Sequence, residues 1–243
     1  LGNRTFCVLL VWIVNFRKKA EAMLEIDRPI GVLWDMDGVI TDSGEAHYIS
    51  WRKALEQNGI SISKEFFHKT FGMNNRGILS LLFNRDATDH EVERIGGLKE
   101  ELFRQDIKGS VEPLPGVTDL LQRFFHAGVS QAVASSAPPE NIDAIVDELG
   151  CRDMFQALVS GSNLAGKPDP ATFLLAAERL AIAPGDCVVI EDATVGVEAA
   201  RRGGMKCIAV CTTHPKEDLQ QADIVVERLT DLTPAELESL FAQ

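Results

Sequence analysis

Basic residues are in short supply in this chain: 24 Lys and Arg stand against 36 Asp and Glu in 243 residues, a formal net charge of −12. Binding to nucleic acid or to an anionic bilayer requires clustered Lys and Arg, so neither is expected as a partner of the folded core. An anionic ligand would need local positive charge or a metal ion. Paired cysteines are lacking too. Cys7, Cys151, Cys187, Cys207 and Cys211 are odd in number, scattered, and never spaced Cys-x-x-Cys. That argues against a disulfide framework or a zinc site and for a reducing, cytoplasmic compartment. The strongly apolar stretch at residues 5–16 falls short of the about 20 residues that span a bilayer. Arg17, Lys18 and Lys19, lying between it and the cleavage-like Ala20-Glu21-Ala22, are misplaced for a signal peptide. Residues 1–22 are therefore expected to be an extension outside the fold, with a peripheral anchor as second choice. At 45% hydrophobic, the remainder can bury one large core or two smaller ones.

From about residue 30, apolar runs alternate with helical patterns. Buried strands are expected at residues 30–34, 129–134, 157–160, 187–190, 206–210 and 223–226. Helices are expected at 118–127, 139–149 and 195–202, each stopped by glycine, and after the capping box Thr233-Pro234-Ala235-Glu236. This alternation predicts an α/β fold, a doubly wound parallel sheet with helices on both faces. Residues 44–110 break the pattern and read as helix only. Tyr48, Trp51 and Leu55 share one face, Ile78, Leu79, Leu81, Leu82 and Phe83 follow, and Thr88 with Glu91 forms a second capping box. A helical cap domain over residues 44–110, inserted into a core made of 23–43 and 111–243, is the predicted organisation. Glu112-Pro113-Leu114-Pro115-Gly116 would make the rigid return.

The chemistry concentrates where the first apolar run ends, at Asp35-Met36-Asp37-Gly38. In extended backbone, residues i and i+2 point to the same side, so the two carboxylates would face one small volume. Like charges that close call for a cation or a shared proton. A solvated turn is the bland alternative. An EF-hand calcium loop fails on spacing, because its glycine belongs at the sixth position and its glutamate at the twelfth, where Gly38 is fourth and Ala46 twelfth.

Three further strand ends fall on the same edge of the sheet, where open parallel sheets bind ligands. Ser135 and Ser136 end the second, Lys167 follows the third, and Glu191-Asp192 ends the fourth. Taken singly, these read as a helix cap, a solvated loop lysine and an acidic helix start. Together they are a phosphoryl-transfer set. Asp35 would be the nucleophile and Asp37 the general acid and base. Ser135 would bind the phosphoryl group and Lys167 balance its charge, while Glu191 and Asp192 complete a shell for Mg²⁺.

In these four motifs, Asp35-Met36-Asp37-Gly38-Val39, Ser135, Lys167, and Glu191-Asp192 with Gly196, the chain resembles the haloacid dehalogenase-like hydrolase superfamily. Within it, the chain looks like the helical-cap branch that includes β-phosphoglucomutase and phosphoglycolate-type phosphatases. The resemblance covers roughly residues 29–230. It implies a Rossmann-like core and Mg²⁺ held by Asp35, the Asp37 main-chain carbonyl, Asp192 and Glu191. The second acid, Asp37, implies phosphate substrates and not dehalogenation. Ser43 and His47 resemble the mutase form of the first motif, and Lys99 falls at its sugar-phosphate lysine. Glu100 and Ser136-Ala137-Pro138-Pro139 depart from it, which weakens a second phosphate site and favours hydrolysis over phosphoryl transfer to a sugar. Asn75 and Arg76 are candidates for a distal polar or anionic group, against the plainer reading of a solvated helix start. The expected ligand is a small phosphorylated metabolite, and a monomer is expected.

Two other readings compete. Gly161-Ser162-Asn163-Leu164-Ala165-Gly166-Lys167 has P-loop spacing, but Pro168 stands where Ser or Thr should ligate Mg²⁺. A phospho-accepting receiver also uses clustered acids, a hydroxyl and a lysine. Such a domain has neither a large helical insertion nor an acid two residues after the nucleophile.

Overall fold

A computed structural model describes residues 29–241. The expectations for residues 1–22, for Cys7 and for a core beginning at residue 23 lie outside the described residues. Six strands form one fully parallel sheet in the order β3-β2-β1-β4-β5-β6. They are β1 (Gly31–Trp34), β2 (Ser130–Ser135), β3 (Ala157–Ser160), β4 (Cys187–Glu191), β5 (Lys206–Val210) and β6 (Ile224–Val226). β1 lies between β2 and β4, with Trp34 opposite Val133 on one side and Ile190 on the other. The strand order reverses at β1, so the end of that strand opens onto the crevice where doubly wound sheets bind ligands.

Both faces of the sheet are covered, which is why β1 is apolar throughout instead of alternating. Val32 and Trp34 belong to one buried cluster and Leu33 to the other, the period of two that pleating imposes. The first cluster is closed by α5 (Val117–His126), α6 (Pro139–Glu148) and α9 (Pro234–Phe241), through Leu120, Phe124, Ile145 and Leu237. The second is closed by α7 (Ala171–Leu180) and α8 (Thr194–Arg202), through Phe173, Ala176, Val197 and Ala200. Strand bounds match the sequence expectation to within a residue. Helix α7 was not expected: Pro168 and Pro170 stand just before it and mask its start.

From Gly44 to Ile107 the only regular elements are helical, and they form a cap. It contains α1 (Gly44–Glu56), α2 (Lys64–Thr70), α3 (Asn75–Phe83) and α4 (Gly97–Ile107). α4 is preceded by a turn at Asp89–Glu91 and a π-helical stretch at Val92–Gly96. The Thr88–Glu91 capping box is present, with its reciprocal bonds. Trp51, Leu55, Phe67 and Leu79 give the cap a core of its own. Of the expected apolar positions, Leu81 faces solvent. The two connections to the sheet run side by side. Thr41 bridges Pro113, its hydroxyl donates to the Glu112 carbonyl at 2.8 Å, and Leu114 N donates to Ile40 O at 2.9 Å.

Candidate active site

All four strand-end motifs meet beyond the carboxyl edge of β1. Asp35 leaves β1 with its N–H still donated to Ile190 O at 2.9 Å, so it is held in line with the sheet. Lys167 Nζ donates to Asp35 Oδ1 at 2.7 Å and to Glu191 Oε1 at 2.5 Å, with all three side chains buried. Asp192 follows Glu191, and one oxygen from each of Asp35, Glu191 and Asp192 lies within 4.8 Å of the others.

Two glycines make this density possible. Gly38 takes φ +85°, and a Cβ there would lie 2.0 Å from Asp192 Oδ2. A Cβ on Gly196, in α8, would lie 1.7 Å from Glu191 Oε1. Glu191 also fastens the turn into α8, accepting the N–H groups of Asp192 at 2.6 Å and Ala193 at 2.7 Å. Both of its oxygens are therefore engaged within the protein, and it acts as a clamp on Lys167 as well as a source of charge.

Three buried carboxylates against one ammonium leave the centre with excess negative charge. Burial pushes the Asp35 carboxyl up to about 7, with Lys167 opposing and Glu191 adding to the shift. Burial, Glu191 and Asp35 together hold Asp192 well above the ordinary range. Lys167 is driven the other way: burial disfavours its charge, but the Asp35 and Glu191 carboxylates outweigh burial and raise it. Thr213 Oγ1 donates to Asp192 Oδ2 at 2.5 Å, whereas Oδ1 is buried without a hydrogen-bond partner, alone in this among the described side chains. An orphaned carboxylate oxygen beside a negative centre is a site for a hard divalent cation, so these residues fit one.

Asp37 sits apart from that cluster, in a hydrogen-bond chain of its own. Its Oδ1 accepts from Ser43 Oγ at 2.5 Å and from His47 Nε2 at 3.0 Å. His47 Nδ1 lies 2.7 Å from Lys99 Nζ. An ammonium can only donate, so Nδ1 accepts and the proton of neutral His47 rests on Nε2, facing Asp37. The imidazole is fixed by stacking on Phe103, with centroids 3.8 Å apart and planes 5° off parallel. Burial works against the charge of Asp37, but His47, Ser43 and Lys99 hold its carboxyl below the usual range.

Ser135 is buried at the end of β2, where its Oγ accepts the Ala137 N–H at 3.1 Å. It lines the cavity above Asp35 and Asp37 together with His47, Asn75, Lys99 and Ser136. That cavity measures about 460 Å³ counted out to its mouth. Ser136 Oγ also donates to Gly72 O of the cap at 2.8 Å. Arg76 is placed elsewhere. Its guanidinium binds the Ala87 carbonyl and Asp89, outside the cavity lining. The sequence reading also missed Thr213 and His214, which hold Asp192 through its carboxylate and carbonyl, and Asn141, which meets Glu100 of the cap at 2.6 Å. No motif spacing points to them.

This geometry agrees with a family model for haloacid dehalogenase-like hydrolases, which matches residues 32–210. The chain belongs to that family. Among relatives of this haloacid dehalogenase-like hydrolase, β-phosphoglucomutase of Bacillus subtilis is 34% identical over 213 residues, covering 83% of this chain and 91% of the relative. A chloroplastic 5-amino-6-(5-phospho-D-ribitylamino)uracil phosphatase of Arabidopsis thaliana is 31% identical over 216 residues. That match takes in 87% of this chain and 57% of the plant protein's length. The crystal structure of a β-phosphoglucomutase from Clostridium difficile superposes with a TM-score of 0.77 at 26% identity, covering 88% of this chain and 98% of that one. The family and these relatives make this hydrolase-family chain an enzyme of phosphatase or phosphomutase type. No helix among the described residues is long and apolar enough to cross a membrane.

Proposed function

We propose that the protein is a Mg²⁺-dependent phosphomonoester hydrolase acting on a small phosphorylated metabolite of the sugar-phosphate class through an aspartyl-phosphate intermediate. The observation that carries this is the convergence of Lys167, Asp35 and Asp192 at the end of β1, with Asp37 held two residues away in separate hydrogen bonds. Asp35, Asp192 through its free Oδ1, the main-chain carbonyl of Asp37 and Glu191 would hold the cation. Bound there, Mg²⁺ supplies charge that screens a phosphate dianion from an attacking carboxylate.

Asp35 attacks phosphorus, the ester P–O bond breaks, and Asp37 gives its proton to the departing oxygen. Asp37 rests ionised. As the phosphate dianion binds, its charge raises the proton affinity of Asp37, which takes up one proton from solvent before the P–O bond breaks, while neutral His47 donates a hydrogen bond to the same oxygen through Nε2–H and keeps its own proton. Water then attacks the aspartyl phosphate and Asp37 takes its proton, releasing inorganic phosphate and restoring Asp35. Ser135 and the backbone that follows it hold phosphoryl oxygens, while Lys167 neutralises the bridging charge. The cap, fastened by Ser136 to Gly72 and by Asn74 Nδ2 to Leu164 O at 3.1 Å, keeps bulk water from the reacting atoms.

The likeness to β-phosphoglucomutase favours a second reading, transfer to a sugar hydroxyl. The position of Arg76 supports hydrolysis, because its guanidinium is committed to Asp89 and is not offered to a second phosphate. Turnover of p-nitrophenyl phosphate with Mg²⁺, lost in Asp35→Asn and Asp37→Ala, is the expected result. Stoichiometric phosphorylation without turnover would support a receiver instead. Glucose 6-phosphate formed from β-glucose 1-phosphate faster than phosphate is released would overturn hydrolysis in favour of the mutase.

A further inference from the structure

Above the reacting carboxylates, the cap side of the cavity is mostly apolar, with Trp51, Phe67, Phe71, Met73 and Ile78 in its wall. Its ionisable groups are His47, Lys99 and Glu100. Lys99 already has two of its three N–H groups committed. Its Nζ donates to Glu100 Oε1 at 2.9 Å and to His47 Nδ1 at 2.7 Å, and the side chains of Lys99 and Glu100 are 4% and 6% exposed. Glu100 is pinned from the other side by Asn141 Nδ2, 2.6 Å from Oε2, and Asn141 Oδ1 in turn accepts from Arg104 at 2.8 Å. Burial opposes the charge of Glu100, but Lys99 and the bond from Asn141 hold its carboxyl below the usual range, so it is ionised. The cap thus offers the ligand a neutralised ion pair, one neutral imidazole and a wall of rings.

We propose that Glu100 is a specificity-determining residue that restricts this enzyme to phosphomonoesters whose remaining part is uncharged and presents an apolar face to the cap. The inference rests on the phosphatase reading above. A second phosphate or carboxylate entering this cavity would be buried beside Glu100, whose charge cancels that of the nearest ammonium, so it would find no net positive charge to offset its desolvation. Like charges so placed discriminate strongly between ligands of equal shape. An uncharged body loses nothing to Glu100 and gains contact with Trp51 and Phe71.

The test uses two aryl phosphates that differ only in distal charge, 4-carbamoylphenyl phosphate and 4-carboxyphenyl phosphate, with phosphate release followed in the presence of Mg²⁺. The wild-type protein is expected to favour the carbamoyl ester by about tenfold or more in kcat/KM. Glu100→Gln should bring the two within about twofold, as should Glu100→Asn. Loss of a merely structural role would lower both rates and leave their ratio standing, which would overturn the assignment to Glu100. Equal use of both esters by the wild type would overturn the charge selection whether or not either variant folds, while p-nitrophenyl phosphate is still turned over. Failure to turn over p-nitrophenyl phosphate as well would overturn the phosphatase reading beneath it.

Discussion

Replacing Gly196 by alanine sets two effects of opposite sign against each other. Gly196 lies inside helix α8, where intrinsic propensity favours alanine by about 1 kcal/mol. The new methyl, however, would fall 1.7 Å from Glu191 Oε1 and 2.0 Å from its Cδ, so the carboxylate must leave its place. It has nowhere equivalent to go, because Glu191 is fully buried. Leaving strips Lys167 of one of its two carboxylates and the N–H groups of Asp192 and Ala193 of their acceptor. Breaking a buried ion pair from one side costs about 3–5 kcal/mol, and each buried N–H left unpaired about 1–3 kcal/mol. Even the low end outweighs the helix gain. Gly196→Ala is therefore expected to destabilise by about 3 kcal/mol or more, a fall in Tm on the order of 10 °C for a protein of this size. Gly97→Ala is the matched control: this glycine is also helical, is exposed, and an added Cβ meets nothing within 4 Å. It should gain up to about 1 kcal/mol. Urea unfolding of both variants, with the slope checked for constancy, reads the difference directly. A Gly196→Ala protein as stable as the control would refute the claim that Glu191 is locked between α8 and Lys167.

Lys167→Met should likewise destabilise by about 3–5 kcal/mol near neutral pH, since it leaves Asp35 and Glu191 buried without their cation. The loss should shrink in acid as those carboxyls take up protons, and a pH-independent loss in urea unfolding would contradict the charge argument. Cation binding should carry a pH signature as well. The Asp35 carboxyl is raised to about 7 from an ordinary 3.8, so the folded state holds its proton longer than the unfolded chain does. Stability of the metal-free protein should therefore fall as pH rises from about 4 through 7. Mg²⁺ binds the deprotonated site, so the rise in Tm it produces should be small at pH 5 and large at pH 8. Equal shifts at the two pH values would tell against binding at this cluster.

The candidate catalytic edge was legible because most of its residues sit at the end of an apolar run that reads as a buried strand, while Lys167 lies in the loop seven residues after β3. Asp35, Ser135 and Glu191 take their positions from β1, β2 and β4 directly, and parallel pairing puts those ends side by side. The cap helices could be read from apolar spacing around Trp51 and Leu79 and from the Thr88 capping box. Helix α7 was not visible, because prolines at its entrance resemble loop signals. Arg76 stayed open between a ligand contact and a solvated helix start for a different reason: at the start of α3 its side chain has more than one direction open to it, and only the packed cap turns it to Asp89, thirteen positions on.

What the residues alone indicated is the chemistry of the phosphoryl end, since strand ends and the carboxyl-edge rule bring Asp35, Ser135, Glu191 and Asp192 to one edge with no knowledge of side-chain packing. What the tertiary structure alone decided is which of the remaining polar groups are free. Lys99 is cancelled by Glu100, Glu100 is tied to Asn141 across the gap between cap and core, and Asp192 keeps one oxygen bare while Thr213 takes the other. The last two pairings join segments far apart in the chain, and even between the neighbours Lys99 and Glu100 no local pattern encodes the direction of the side chains, on which depends what the enzyme accepts beyond its phosphate.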